Sequence, residues 1–180
     1  MSASADERLS VEDLHQTFIC SLSGVVIAHS ALDAKPLEVD LKSPLPPKLR
    51  VYLYNATFPP GGRTMGEHKI QLIVPGQARG ERANFDSSGG RIPILAGYRA
   101  DIRIFMLWDA ELYVDFAYSR NVQVMAETVY EAFAQGIGRQ VRHLWTRDDE
   151  VVITADACHL SRALLERQRE TLKRLLGAKS

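Results

Sequence analysis

The chain has 180 residues, 46% of them hydrophobic and 24% charged, the balance of a globular domain able to bury a core. Lysine plus arginine and aspartate plus glutamate both number 22. The resulting zero net charge excludes a globally basic nucleic-acid coat and an acidic disordered tail, while leaving room for a local basic patch. No apolar run approaches the roughly 20 residues of a membrane-crossing helix, and the N-terminal Met1-Ser-Ala-Ser-Ala-Asp-Glu-Arg lacks the order of a secretory signal. A cytoplasmic, single-domain protein with no membrane partner is expected. Cys20 and Cys158 stand apart from any CxxC or Cys/His cluster and read as buried free thiols.

Residues 1–9 are polar and small and are expected to fray. After Ser10, apolar residues at 11, 14, 18 and 22 predict a short amphipathic helix capped by that serine and closed by Gly24. Four prolines between Asp33 and Lys48 predict an extended strap with a short strand at Leu37–Leu41. Leu49–Asn55 alternates with period two, as a half-buried strand does. His68–Val74, Arg91–Gly97 and Ile102–Trp108 are further β-rich runs, separated by loops at Phe58–Gly66, Pro75–Gly90 and Asp109–Asn121. Val122–Val124 leads into a helix at Glu127–Gln135 that Gly136 closes. Arg139–Thr146 and Glu150–Ala155 form a hairpin across Arg147-Asp148-Asp149.

In the last helix, Cys158–Leu176, Leu160, Leu164, Leu165, Leu172, Leu175 and Leu176 share a face. Arg162, Arg167, Arg169, Lys173 and Arg174 form a solvated opposite face. Short strands with helices at both ends indicate an α+β fold, its mostly antiparallel sheet curled or closed into an open pseudo-barrel. The parts are an N-terminal helix and strap (1–48), a β-rich core (49–156) and a C-terminal helix (157–180).

Residues 55–99 carry Arg63, Lys69, Arg79, Arg82, Arg91 and Arg99 against Glu67, Glu81 and Asp86, an excess of three positive charges in a neutral chain. Glycines there let backbone approach a ligand, and arginine, lysine, glutamine and asparagine supply the donors that meet phosphates and base edges. The candidate contacts are Arg63, Thr64, His68, Lys69, Gln77, Arg79, Arg82, Asn84, Ser87, Ser88 and Arg91. Tyr118, Ser119, Arg120 and Asn121 form a second polar and aromatic loop suited to stacking and base-edge hydrogen bonds. Trp108 and Phe116 read as core.

Glu67-His68-Lys69 matches the E-x-K half of a Mg²⁺-dependent nuclease site, in which a carboxylate holds the metal and the lysine meets the attacked phosphate. Such a site needs a second carboxylate; of Asp40, Asp86 and Asp109, the last is the best placed. The five histidines show no zinc spacing, and there is no GxSxG, P-loop or GxGxxG. No cofactor is called for outside the Mg²⁺ of the nuclease reading.

Pro60-Gly-Gly-Arg, Glu67-His-Lys-Ile-Gln-Leu, Pro75-Gly-Gln-Ala-Arg-Gly-Glu-Arg, Phe105-Met-Leu-Trp-Asp-Ala and Asn121-Val-Gln-Val before a helix give the stretch from Tyr52 to about Gln140 a family likeness. It resembles DNA-recognition modules of bacterial restriction and defence endonuclease systems, of the B3-like or SRA-like pseudo-barrel kind. The resemblance implies two arms set into a DNA groove, with cleavage carried by another domain or subunit, and a separate nuclease, helicase or methyltransferase subunit as partner. No nuclease domain follows the module in this chain. Three readings result: a sequence- or modification-specific double-stranded DNA-binding module, a Mg²⁺-dependent endonuclease using Glu67 and Lys69, and a protein-interaction domain.

Overall fold

Ser10 accepts a hydrogen bond from the Asp13 N–H through its side chain and so starts α1 (Val11–Ser21), whose Leu14 and Phe18 face inward. Two short strands follow, β1 (Val26–His29) and β2 (Leu37–Leu41), then the long β3 (Lys48–Asn55). The middle of the chain holds β4 (Glu67–Leu72), the two-residue β5 (Arg82–Ala83), β6 (Ile92–Arg99), β7 (Ile104–Trp108), the two-residue β8 (Phe116–Ala117) and β9 (Arg120–Met125). Then come α2 (Ala126–Gln135), the hairpin β10 (Ile137–His143) and β11 (Asp149–Ala155), and α3 (Leu160–Leu175). Gly136 adopts φ +88° and donates its N–H to Ala132, a left-handed cap that ends α2 as expected. These elements come from a computed structural model that describes residues 8–58, 66–145 and 148–177. Most of the expected frayed stretch, the Pro59–Met65 part of the first loop and Arg147 of the hairpin connection lie outside the described residues.

Seven strands form one sheet in the order β1-β2-β3-β6-β7-β11-β10. Every neighbouring pair is antiparallel except β3 and β6, which run parallel from Leu49↔Ile92 to Asn55↔Tyr98. One face packs under α1 and α3 through Leu14, Phe18, Leu164, Leu49, Phe105 and Leu107. The other packs under α2 and a ribbon of β4 paired with β9, through Ile70, Val124, Val129, Met106 and Trp108. The strand β7 shows why: Ile104, Met106 and Trp108 enter one core while Phe105 and Leu107 enter the other.

A sheet with two apolar faces must be covered on both. The expected curled sheet or pseudo-barrel is accordingly an open, mixed sheet within an α+β fold; β1 and β10 stay as edges and do not meet. For the same reason β3 is not half-buried: Leu49, Arg50, Val51 and Tyr52 are all inside. Gly97 on β6 lets the ribbon lie close, since a Cβ there would stand 2.8 Å from the Ile70 side chain. Both thiols differ from expectation as well. Cys20 lies on the outer side of α1 beside Gln16, and Cys158 sits in a short turn before α3; both are exposed and free.

The C-terminal helix turns differently from its leucine pattern. Leu160, Ala163, Leu164 and Arg167 form its buried stripe, whereas Leu172, Leu175 and Leu176 are exposed. Arg167, expected in solvent, is therefore in the core, where it donates to the Val151 carbonyl and reaches the Asp109 carboxylate at 3.4 Å.

Candidate nucleic-acid interface

Two polar loops that are more than 30 residues apart in sequence meet because β5 pairs with β8, Arg82 opposite Ala117 and Ala83 opposite Phe116. The lobe is held by its own polar side chains. Arg82 donates from Nε to the Asp115 carboxylate at 2.7 Å and from a terminal nitrogen to the Asp115 carbonyl. Asn84 accepts the Asp115 N–H at 2.7 Å. Asp115 sits at φ +45° and Ser119 at φ +59°, the left-handed region that non-glycine residues rarely adopt. Gln77 donates to the Glu81 and Phe116 carbonyls and accepts the Val74 N–H, so it braces the lobe from inside. Sequence gave no warning of Asp115, since nothing in its neighbourhood marks it as the anchor for Arg82.

Exposed on this lobe are Arg79, Arg82, Asn84, Arg120 and Asn121, with Tyr118 and Ser119 half-buried beside them. Arg120 lies over the Tyr113 ring at 5.0 Å, a cation–π contact that leaves its hydrogen-bond donors for a ligand. Arg79 makes no ion pair among the described residues. The remaining candidates are placed elsewhere. Arg91 donates to Asp40 at 2.8 Å and approaches Glu38 at 3.1 Å, while Ser88 accepts from Arg50, which also pairs with Glu38 and Asp86. Ser87 is exposed at the start of that turn. Ser88 and Arg91 thus belong to an ion-pair cluster that fastens the 86–91 loop to β2 and β3. Arg99 pairs with Asp101. Of the charge excess counted along the chain, Arg79 and Lys69 are the described cations left without a carboxylate. Arg63 and Thr64 lie outside the described residues.

His68 is fully buried, between the rings of Phe58 at 5.0 Å and Tyr130 at 6.2 Å, with neither ring nitrogen hydrogen-bonded. Its side chain is not offered to a nucleic acid. Period two explains the placement: Glu67 and Lys69 share the outer face of β4, so His68 must point in. Burial, with the Arg99 charge adding to it, pushes its pKa down to about 4.

Glu67 and Lys69 share a face, as the nuclease reading requires, but no second carboxylate joins them. Asp40 is held by Arg91 and Asp86 by Arg50. Asp109 is buried between Arg167 and Arg174, the latter donating to it at 3.0 Å. Among the described residues, no group of three or more His, Cys, Asp or Glu side chains could hold a metal ion. Beside Asp109, the fully buried Glu150 accepts from the Tyr113 hydroxyl at 2.9 Å and from the Asp109 N–H at 3.1 Å, with Arg142 at 3.3 Å. Burial raises its carboxyl above the usual range.

A cavity of about 390 Å³ lies between α1, β3 and the turn after β4. Sequence patterns do not mark it, because its walls come from four separate segments.

The family model described as Methylase-associated X1 matches residues 47–164, well over half of the chain and the whole span from β3 to the middle of α3. The chain belongs to the Methylase-associated X1 family. Comparison with curated proteins and with solved structures gives no match. No helix among the described residues is long and apolar enough to cross a membrane.

Proposed function

We propose that this chain is a double-stranded DNA-recognition module that serves a methylase, reading a sequence or a modified base within a restriction–modification or phage-defence system of the cytoplasm. The observation that carries the reading is the β5–β8 pair, which brings the segment of Arg79 and Asn84 beside Tyr118, with the exposed Arg120 and Asn121 following at the start of β9. Such a set combines phosphate-contacting cations with amides able to read base edges. Membership of a methylase-associated family supports the setting, and the resemblance of the loop sequences to DNA-recognition modules supports the ligand. A methyltransferase subunit is the first partner expected, with a nuclease or helicase subunit behind it.

The test is a metal-free titration of fluorescent duplexes, modified and unmodified, against the wild-type chain and Arg79→Ala/Arg120→Ala. Binding that the double variant loses while its melting is unchanged supports the reading. Absence of binding, or equal binding by the variant, overturns it.

A further inference from the structure

The strand β3 is longer than its partner. Leu37 of β2 pairs with Val51, and the ladder stops there, although β3 continues to Asn55. Pro36 comes next on the β2 side and has no N–H to extend the ladder. Two hydrogen bonds fix which way the remaining backbone points. Leu41 donates to Pro47, and Ala56 donates to Tyr98 of β6. Even-numbered residues of β3 therefore address β6, and odd-numbered ones address the β2 side. The N–H and C=O of Leu53 accordingly face a sheet edge with no strand on it.

That edge opens into the cavity of about 390 Å³. Residues on both faces of the sheet line it: Leu14 of α1 and Leu53 on one side, Tyr54 and Val74 on the other, with Lys35 and Gln77 also in its wall. A cavity lying in the plane of a sheet and walled above and below has the shape of a missing strand. Its open edge, Tyr52–Asn55, is about 13 Å long at 3.3 Å per residue. Lys35 is exposed and makes no ion pair among the described residues.

We propose that this slot binds an extended peptide segment of a partner protein, about four residues long, which adds to β3 in line with β2. Its backbone pairs with Leu53, its apolar side chains alternate between the Leu14 and Tyr54 walls, and a carboxylate near one end meets Lys35. Strand addition of this kind takes affinity from main-chain hydrogen bonds and specificity from the alternate pockets. The inference stands apart from the DNA reading, since it uses Leu53, Leu14, Tyr54 and Lys35 and none of the exposed residues of the lobe; the shared side chain is Gln77, which lines the slot and braces the lobe.

The experiment is selection of a phage-displayed library of random eight-residue peptides on the wild-type chain, followed by synthesis of the enriched sequences. Expected are peptides with alternating apolar residues and an acidic one, which slow hydrogen exchange of the Leu53 amide. Leu53→Pro, which removes the outward N–H without touching the β6 ladder, lowers their affinity at least tenfold. Val11→Trp, which fills the mouth of the slot from α1, does the same should the proline variant not fold. Lys35→Glu shifts the preference from acidic to basic peptides. No enrichment, enriched peptides that leave the Leu53 amide unprotected, or equal binding by both the proline and tryptophan variants overturns the slot. Unchanged charge preference in Lys35→Glu overturns the carboxylate assignment.

Discussion

The indole N–H of Trp108 donates to the backbone carbonyl of Gln123 at 3.0 Å, which fastens the central sheet to the ribbon that covers it. The ring is only 1% exposed and packs in the core shared with Ile70 and Val124.

Trp108→Ala therefore loses both a large buried ring and one of the two donors to the Gln123 carbonyl, Arg142 being the other at 2.6 Å. The expected cost is about 3–5 kcal/mol in urea unfolding, with Trp108→Phe losing less because it keeps most of the packing. A Trp108→Ala chain that melts like the wild type would show that the ribbon is held by other contacts.

Folding stability should fall as pH drops from 6.5 toward 4, and His68 is the cause. Its pKa is 6.5 in the unfolded chain and about 4 in the folded one. The unfolded state therefore binds the extra proton across that window, and stability present above pH 6.5 is lost as pH falls. The full linkage amounts to about 3 kcal/mol. Urea midpoints measured from pH 7 to 4 should flatten in His68→Phe; an unchanged slope in that variant would assign the effect to other groups.

Asp109→Asn should destabilise the chain. It strips the charge that faces Arg167, which is 3% exposed, and Arg174. Breaking a buried pair from one side costs about 3–5 kcal/mol, while replacing both partners by apolar residues restores much of it. Thermal melts of Asp109→Asn and of Asp109→Leu/Arg167→Met test the asymmetry. A double variant less stable than the single would show that the pair is net stabilising.

DNA affinity should fall with salt although the chain is neutral. The two uncommitted arginines of the lobe, Arg79 and Arg120, give a slope of log K against log[salt] of roughly −2. Arg79→Ala should reduce that slope by about one. Arg82→Ala should lower affinity through the lobe itself, because Arg82 is committed to Asp115. A duplex that binds with a slope near zero would remove phosphate contact from the interface.

The hydrophobic periodicity carried most of the fold. The two faces of β7, the Ser10 cap, the Gly136 stop and the β10–β11 hairpin all follow from local pattern. Arg167 was hidden for an instructive reason: counting leucines placed the apolar face on 172, 175 and 176, whereas spacing by three and four from Leu160 leads to Arg167. The joined lobe was legible as residues but not as a place. Two-residue strands such as β5 and β8 have no period to detect, and their pairing is long-range. His68 could have been moved inward by the same alternation that put Glu67 and Lys69 outward.

The single parallel pair, β3 with β6, has a consequence for how the chain is made. Each of its contacts joins residues 43 positions apart, and closing such a loop must precede any reward from the ladder. The hairpins β6–β7 and β10–β11 can form as soon as they leave the ribosome, but β3 waits until β6 has been synthesised. During that interval the apolar run Leu49-Arg-Val-Tyr-Leu-Tyr is without its central neighbour. Truncations ending before Ile92 should therefore collect in aggregates or on chaperones, and solubility should return only in those that also carry α2, β11 and α3, which flank β7 and cover the sheet.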